Sequence, residues 1–99
     1  MKIDELNIVN VSQSKVKSME NGIVITFQVD SFRYNLYTLE KDGMFNPYHL
    51  VHLDENSDCT LCENGSNYCK ELMKYKQELF HRLIEFPSIR LEWLYINHV

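Results

Sequence analysis

Turn-forming sequences interrupt the first half of the chain at short intervals, and this spacing most constrains the fold. Asn21-Gly22, Asp30-Ser31 and Lys41-Asp42-Gly43 are residue combinations that favour tight turns. Parallel strands need a crossover of about a dozen residues or more, which these intervals do not provide. The sequence therefore predicts an antiparallel β-meander.

The segments between the turns alternate as strands do. Four apolar residues in the segment 23–29 occupy every second position, which indicates a sheet with one buried face; they are Ile23, Ile25, Phe27 and Val29. Asn21-Gly22 supplies the two positive φ angles of a type I′ turn, so we expect it to join strands over 15–20 and 23–29. Further strands are expected over 1–14, where a frayed turn is the alternative, and over 32–40 and 48–53.

Residues 66–86 are predicted to form one long amphipathic helix, because apolar residues recur there at intervals of three and four and Pro87 follows. Residues 89–96 fit both the strand and the helix period, and we expect a strand. The chain is thus predicted to be a single α+β domain over 1–99. Its antiparallel β-meander has four to five strands, and the helix packs on one face of the sheet.

The net charge of −4 is concentrated in one loop. Residues 54–65 contain no Lys or Arg, and the ten acidic residues elsewhere are balanced by ten Lys and Arg. The four acidic residues of the loop are Asp54, Glu55, Asp58 and Glu63. Binding to a phosphate backbone needs clustered Lys and Arg, so this charge favours a basic protein partner over nucleic acid.

Other classes of function lack support in the sequence. The chain has no Gly-rich phosphate loop, nucleophile elbow or HExxH motif, so an enzyme is not expected. No apolar run is long enough to cross a bilayer, and acidic residues stand where a signal peptide would be apolar. We expect an intracellular protein that is not bound to a membrane.

Three cysteines lie in and beside the acidic loop. Cys59-x2-Cys62 has the spacing with which two thiolates bind one tetrahedral zinc ion, and Cys69 can supply a third. His52 is the preferred fourth ligand, and the alternatives are His49, Asp58 and Glu71. A zinc ion with four protein ligands has no open position for water, so the site would be structural.

The segment 48–75, YHLVHLDENSDCTLCENGSNYCKELMKY, resembles the core of a SWIM zinc finger. In that family strands lead into a cysteine pair, a loop and a Cys-x-His at a helix start. Cys59, Cys62 and Cys69 match ligand positions, but the pair is Cys-x2-Cys where the family has Cys-x-Cys, and Glu71 stands where the family has histidine. The resemblance implies a module that binds DNA or protein.

Two functions remain as hypotheses. The first is a small, zinc-stabilised, non-enzymatic module that acts through a protein partner. The second is a metal-free α+β interaction protein or antagonist whose acidic loop 54–65 engages a basic partner and whose cysteines are ordinary buried or loop thiols. Either hypothesis suits a small protein encoded by a virus or mobile element and acting as a monomer or homodimer.

Overall fold

The computed structural model contains a four-stranded antiparallel sheet. It describes residues 2–16, 21–30, 32–53 and 69–89. The strands are β1 (Ile8–Lys15), β2 (Gly22–Val29), β3 (Phe32–Lys41) and β4 (Met44–His52). Each pairs antiparallel with the next, in the order β1-β2-β3-β4. The predicted α+β class and antiparallel meander are confirmed. Ile89 is not in a strand, and the rest of the strand predicted over 89–96 lies outside the described residues.

Two short helices, α1 (Lys70–Met73) and α2 (Lys76–Leu83), stand where one long helix over 66–86 was predicted, so that prediction is wrong. Cys69 has extended backbone angles, φ −91° and ψ 97°, and therefore precedes the first helical residue. Tyr75, with φ −114° and ψ 23°, separates the two helices.

The break between the helices lies between two buried residues. Leu72 in α1 and Leu79 in α2 are both fully buried. Tyr75, at the break, is partly buried and packs against the same core. Both helices therefore face one core although the backbone leaves helical geometry between them, and apolar periodicity alone does not reveal such a break.

The inner face of the sheet, on the side of α1 and α2, carries the core. The alternation predicted in β2 is confirmed, because its four apolar residues are each at most 1% exposed. Burial of such a side chain contributes about 1.5–3 kcal/mol. The same core includes Tyr34, Leu36, Leu50, Cys69, Leu72, Leu79 and Leu83.

The first hairpin differs from the prediction. Lys15 pairs with Ile23, and the Val16 N–H donates to the Gly22 carbonyl at 3.0 Å. Gly22 also pairs with Leu39 of β3, so Gly22 belongs to strand β2 and not to a turn. The two-residue turn predicted at Asn21-Gly22 is therefore wrong. β1 ends at Lys15, and residues 17–20 of the strand predicted over 15–20 lie outside the described residues.

The type I′ geometry occurs instead between β3 and β4. Asp42 and Gly43 have φ values of 53° and 80°, and Lys41 pairs with Met44 on either side of them. β4 consequently starts at Met44 rather than at residue 48, and it includes Pro47. The strand tolerates this proline because it lies at the edge of the sheet and beside a bulge.

Side-chain hydrogen bonds fasten the helical segment to the N-terminal residues. A 3₁₀ turn, Ile3–Glu5, precedes β1. The Arg82 guanidinium in α2 donates to the Ile3 carbonyl. The Ser88 hydroxyl donates to the Val11 carbonyl at 2.6 Å. These two hydrogen bonds hold the helical segment against the 3₁₀ turn and against β1.

Candidate functional site

The chain leaves β4 at His52 and returns beside the same strand at Cys69. The Leu53 N–H donates to the Arg33 carbonyl at 2.9 Å, which keeps the outgoing backbone against β3. The Cys69 N–H donates to the Leu50 carbonyl at 3.1 Å, which fixes the returning backbone against β4. His52 is two residues beyond Leu50, or about 7 Å along a strand. The two ends of the cysteine-bearing connection thus meet at the end of β4.

His52 lies on the inner face of the sheet. It pairs with the fully buried Tyr34, and the two ring centroids are 5.5 Å apart. His49 pairs with Tyr37 on the other face, with ring centroids 6.1 Å apart. Because the sheet separates His49 from the buried Cys69, His52 is the histidine of β4 that shares a side with this cysteine.

Cys69 directly precedes α1 and is completely buried within the hydrophobic core. Its position is compatible with two uses. As a thiol it packs as a small apolar side chain. As a thiolate it would need a cation beside it, since an unpaired buried charge is costly. Zinc supplies such a cation and His52 can contribute a neutral imidazole to it.

Glu71, the alternative ligand that stands at the position of the SWIM histidine, has another partner. Its carboxylate accepts a hydrogen bond from the Lys74 ammonium at 3.0 Å. That hydrogen bond, together with the charge attraction, raises the pKa of Lys74 above its ordinary value of 10.5. This geometry favours His52 over Glu71 as a ligand.

The remaining predicted site residues lie outside the described parts of the chain. They are the ligand candidates Cys59, Cys62 and Asp58 and the other acidic loop residues Asp54, Glu55 and Glu63. Within the described ranges, no group of three or more His, Cys, Asp or Glu residues could hold a metal ion. The zinc site and the acidic partner site therefore stay predictions.

An aromatic cluster on the outer face of the sheet was not anticipated from the sequence. The outer face is the side opposite the core, and Tyr37 lies there because it is out of phase with the buried Tyr34 and Leu36. The ring centroid of Tyr37 is 6.4 Å from that of Tyr48 and 6.1 Å from that of His49. Strand alternation in β3 could have placed Tyr37, but it could not have placed two consecutive residues of β4 beside it.

A second group of acidic residues lines a cleft beside α2. A cleft of about 300 Å³ is lined by Asp4, Glu78, His81, Arg82 and Glu85. It lies between the 3₁₀ turn and α2, so acidic side chains also accumulate away from the loop 54–65.

No helix in the described ranges is both long enough and apolar enough to cross a membrane.

Comparison of the chain with family models, with curated proteins and with solved structures finds no match.

Proposed function

We propose that the chain is a small, non-enzymatic interaction module whose β4–α1 connection is held by a structural zinc ion. His52, Cys59, Cys62 and Cys69 are the ligands. The observation that carries this proposal is the hydrogen bond from Cys69 to Leu50, which brings the returning chain to the strand that ends in His52. The connection between them contains the other two cysteines.

Zinc has a clear physical role in this arrangement. The connection between His52 and Cys69 is long, and ordering it costs conformational entropy. Four ligands from its two ends and its middle would offset that cost, since structural zinc contributes about 10–16 kcal/mol in small zinc-binding domains. The positions of Cys59, Cys62 and Cys69, which resemble three ligand positions of SWIM zinc fingers, support the same assignment, whereas His52 precedes the cysteines and the family's histidine follows them. Because thiolate ligands must remain reduced, the proposal includes an intracellular location.

The partner in this proposal is a basic protein surface that the acidic loop 54–65 engages. The loop holds the net charge of the chain, and concentrated charge steers association with an oppositely charged surface. A metal-free version of the same module is the second candidate. It is favoured by the complete burial of Cys69 among apolar side chains, which needs no metal to explain it.

Metal content decides between the two versions. Protein purified without added zinc should contain one zinc per chain by elemental analysis and native mass spectrometry. His52→Asn should lower the zinc affinity by at least about tenfold, whereas His49→Asn, on the other face of the same strand, should leave it unchanged. Cys69→Ser should also lower it. Metal-free protein with the circular dichroism and thermal stability of the zinc-treated sample would overturn the zinc assignment and leave the metal-free module.

Charge reversal tests the partner. Replacing the four acidic residues of the loop by lysine should abolish binding to an arginine-rich peptide at about 0.1 M salt, where only local charges act over the ~10 Å screening length. The matched control makes the same change in net charge elsewhere, at the exposed residues Asp4, Glu5, Glu78 and Glu85. Equal loss of binding in both variants would show a non-specific charge effect and refute the assignment to the loop.

A further inference from the structure

Three aromatic side chains stand in one row across the inner face of the sheet. Phe27 of β2 pairs with Tyr34 of β3, and Tyr34 pairs with His52 of β4. The rings of Phe27 and Tyr34 are stacked, with centroids 5.3 Å apart and planes at 22°. The rings of Tyr34 and His52 are tilted at 50°, with centroids 5.5 Å apart. This inner row ends on the strand beside which the chain returns at Cys69.

The backbone register brings the side chains of Tyr34 and His52 close together. The Leu53 N–H donates to the Arg33 carbonyl, so the neighbouring residues Tyr34 and His52 form a non-hydrogen-bonded pair. The side chains of such a pair approach more closely than those of a hydrogen-bonded pair. Phe27 and Tyr34 are both 0% exposed, so two closely packed rings lie behind the imidazole.

His52 is the member of the inner row that a ligand can reach. It is only partly buried, and it lies on β4, the last strand of the described sheet. Tyr34 packs against it from the side of β3. On the opposite side of β4, the Leu50 carbonyl accepts the Cys69 N–H at 3.1 Å. The imidazole is therefore supported on one side by a buried ring, and its other side lies toward the returning backbone.

We propose that Tyr34 is a positioning residue for the zinc ligand His52, with Phe27 supporting Tyr34 from behind. This inference rests on the zinc site proposed above. A zinc-bound imidazole must direct one ring nitrogen at the metal, so ordering a freely rotating histidine would reduce the affinity. The inner row restricts that rotation before the metal binds, because packing locks the side chain. Ordering one side chain in advance corresponds to about a threefold to tenfold gain in affinity.

The outer face of the same two strands provides a matched control. Tyr37 pairs with His49, with ring centroids 6.1 Å apart, so it too is a β3 tyrosine beside a β4 histidine. The sheet separates this pair from the buried Cys69. Tyr37→Leu removes the aromatic neighbour of a histidine that is not a ligand in the proposed site, so it should leave the zinc affinity unchanged.

The zinc affinity of the full chain, measured by competition with a chromophoric chelator at fixed pH, tests the proposal. Tyr34→Leu should weaken binding by about threefold to tenfold, whereas Tyr34→Phe keeps the ring and should bind like the wild type. Phe27→Leu should weaken binding by about twofold to threefold, because Tyr34 loses the ring stacked behind it. Circular dichroism checks that each variant is folded, and Phe27→Leu decides the test if Tyr34→Leu does not fold.

Repeating the substitutions in the His52→Asn background separates positioning from a general loss of stability. If Tyr34 acts through His52, Tyr34→Leu and Phe27→Leu should weaken zinc binding no further once the imidazole is absent. Equal losses in the two backgrounds, an equal loss in Tyr34→Phe or in Tyr37→Leu, or no loss at all would overturn the positioning role and leave the zinc site in place. A wild-type chain that binds no zinc would overturn the proposed zinc site and the positioning role with it.

Discussion

Thr38 provides the sharpest test of the core described above. It lies on the inner face between Ile23 and Pro47 and is completely buried. Its hydroxyl oxygen has no hydrogen-bond partner among the residues that the structure describes. A buried polar group without a partner costs about 1–3 kcal/mol. Thr38→Val replaces the hydroxyl by a methyl group of similar size, so we expect the free energy of unfolding to rise by about 1–2 kcal/mol.

The matched control is the same substitution on the other face of the sheet. Thr26 donates its hydroxyl to the Asn35 Oδ1 at 2.6 Å in a partly buried pair. Thr26→Val removes that donor without changing the shape or the β-branched character of the side chain. We therefore expect Thr26→Val to lower the free energy of unfolding by about 0.5–1.5 kcal/mol, opposite in sign to Thr38→Val.

Urea unfolding followed by circular dichroism measures both variants, at one fixed concentration of free zinc because a bound metal adds to stability. The two midpoints should move in opposite directions at an unchanged m-value. In thermal unfolding, 1 kcal/mol corresponds to about 4–8 °C for a domain of this size. If Thr38→Val were as destabilising as Thr26→Val, the Thr38 hydroxyl must have a partner in the folded protein, and the reasoning would fail.

Two further predictions concern the β3–β4 hairpin and α1. Gly43→Ala should destabilise the protein by about 1 kcal/mol, because a Cβ there meets nothing within 4 Å and the cost comes from the φ of +80° alone. Gly43→Asn should cost less, and equal urea midpoints for Gly43→Ala and wild type would contradict the type I′ geometry. Glu71→Gln should return the pKa of Lys74 toward its ordinary value, since the Glu71 carboxylate is the main cause of the increase. The stabilisation from this pair is present below the unfolded-state pKa of Lys74 and is lost as pH rises through the raised folded-state value, and an NMR titration of the Lys74 side chain that is unchanged by Glu71→Gln would refute this assignment.

The sequence was sufficient where a local pattern and the tertiary contacts agree. The four apolar residues at alternate positions of β2 were predicted correctly to face the core, because every second side chain of a strand points to the same face. The turn at 41–43 was also assigned correctly, since Asp42-Gly43 tolerates positive φ. Asn21-Gly22 has the stronger turn preference, but Gly22 pairs with Leu39 and is the first residue of β2.

The candidate sites show the same division. The sequence named Cys69 and His52 as possible ligands, but only the hydrogen bond from Cys69 to Leu50 shows that the chain returns to the strand carrying His52. The aromatic cluster on the outer face was missed because one extra residue, Tyr48, changes the phase of β4 at the bulge. Periodicity assumes a constant phase, so it cannot detect such a shift.

The sequence by itself determined the class of the fold, the antiparallel order of its strands and the inward face of β2. These follow from alternation and from short connections, which depend on residues close together in the chain. The tertiary structure alone decided that Gly22 begins a strand instead of forming a turn, and which histidine of β4 shares a side with Cys69. Each of these depends on contacts between residues distant in sequence, where burial and strand pairing outweigh local preference.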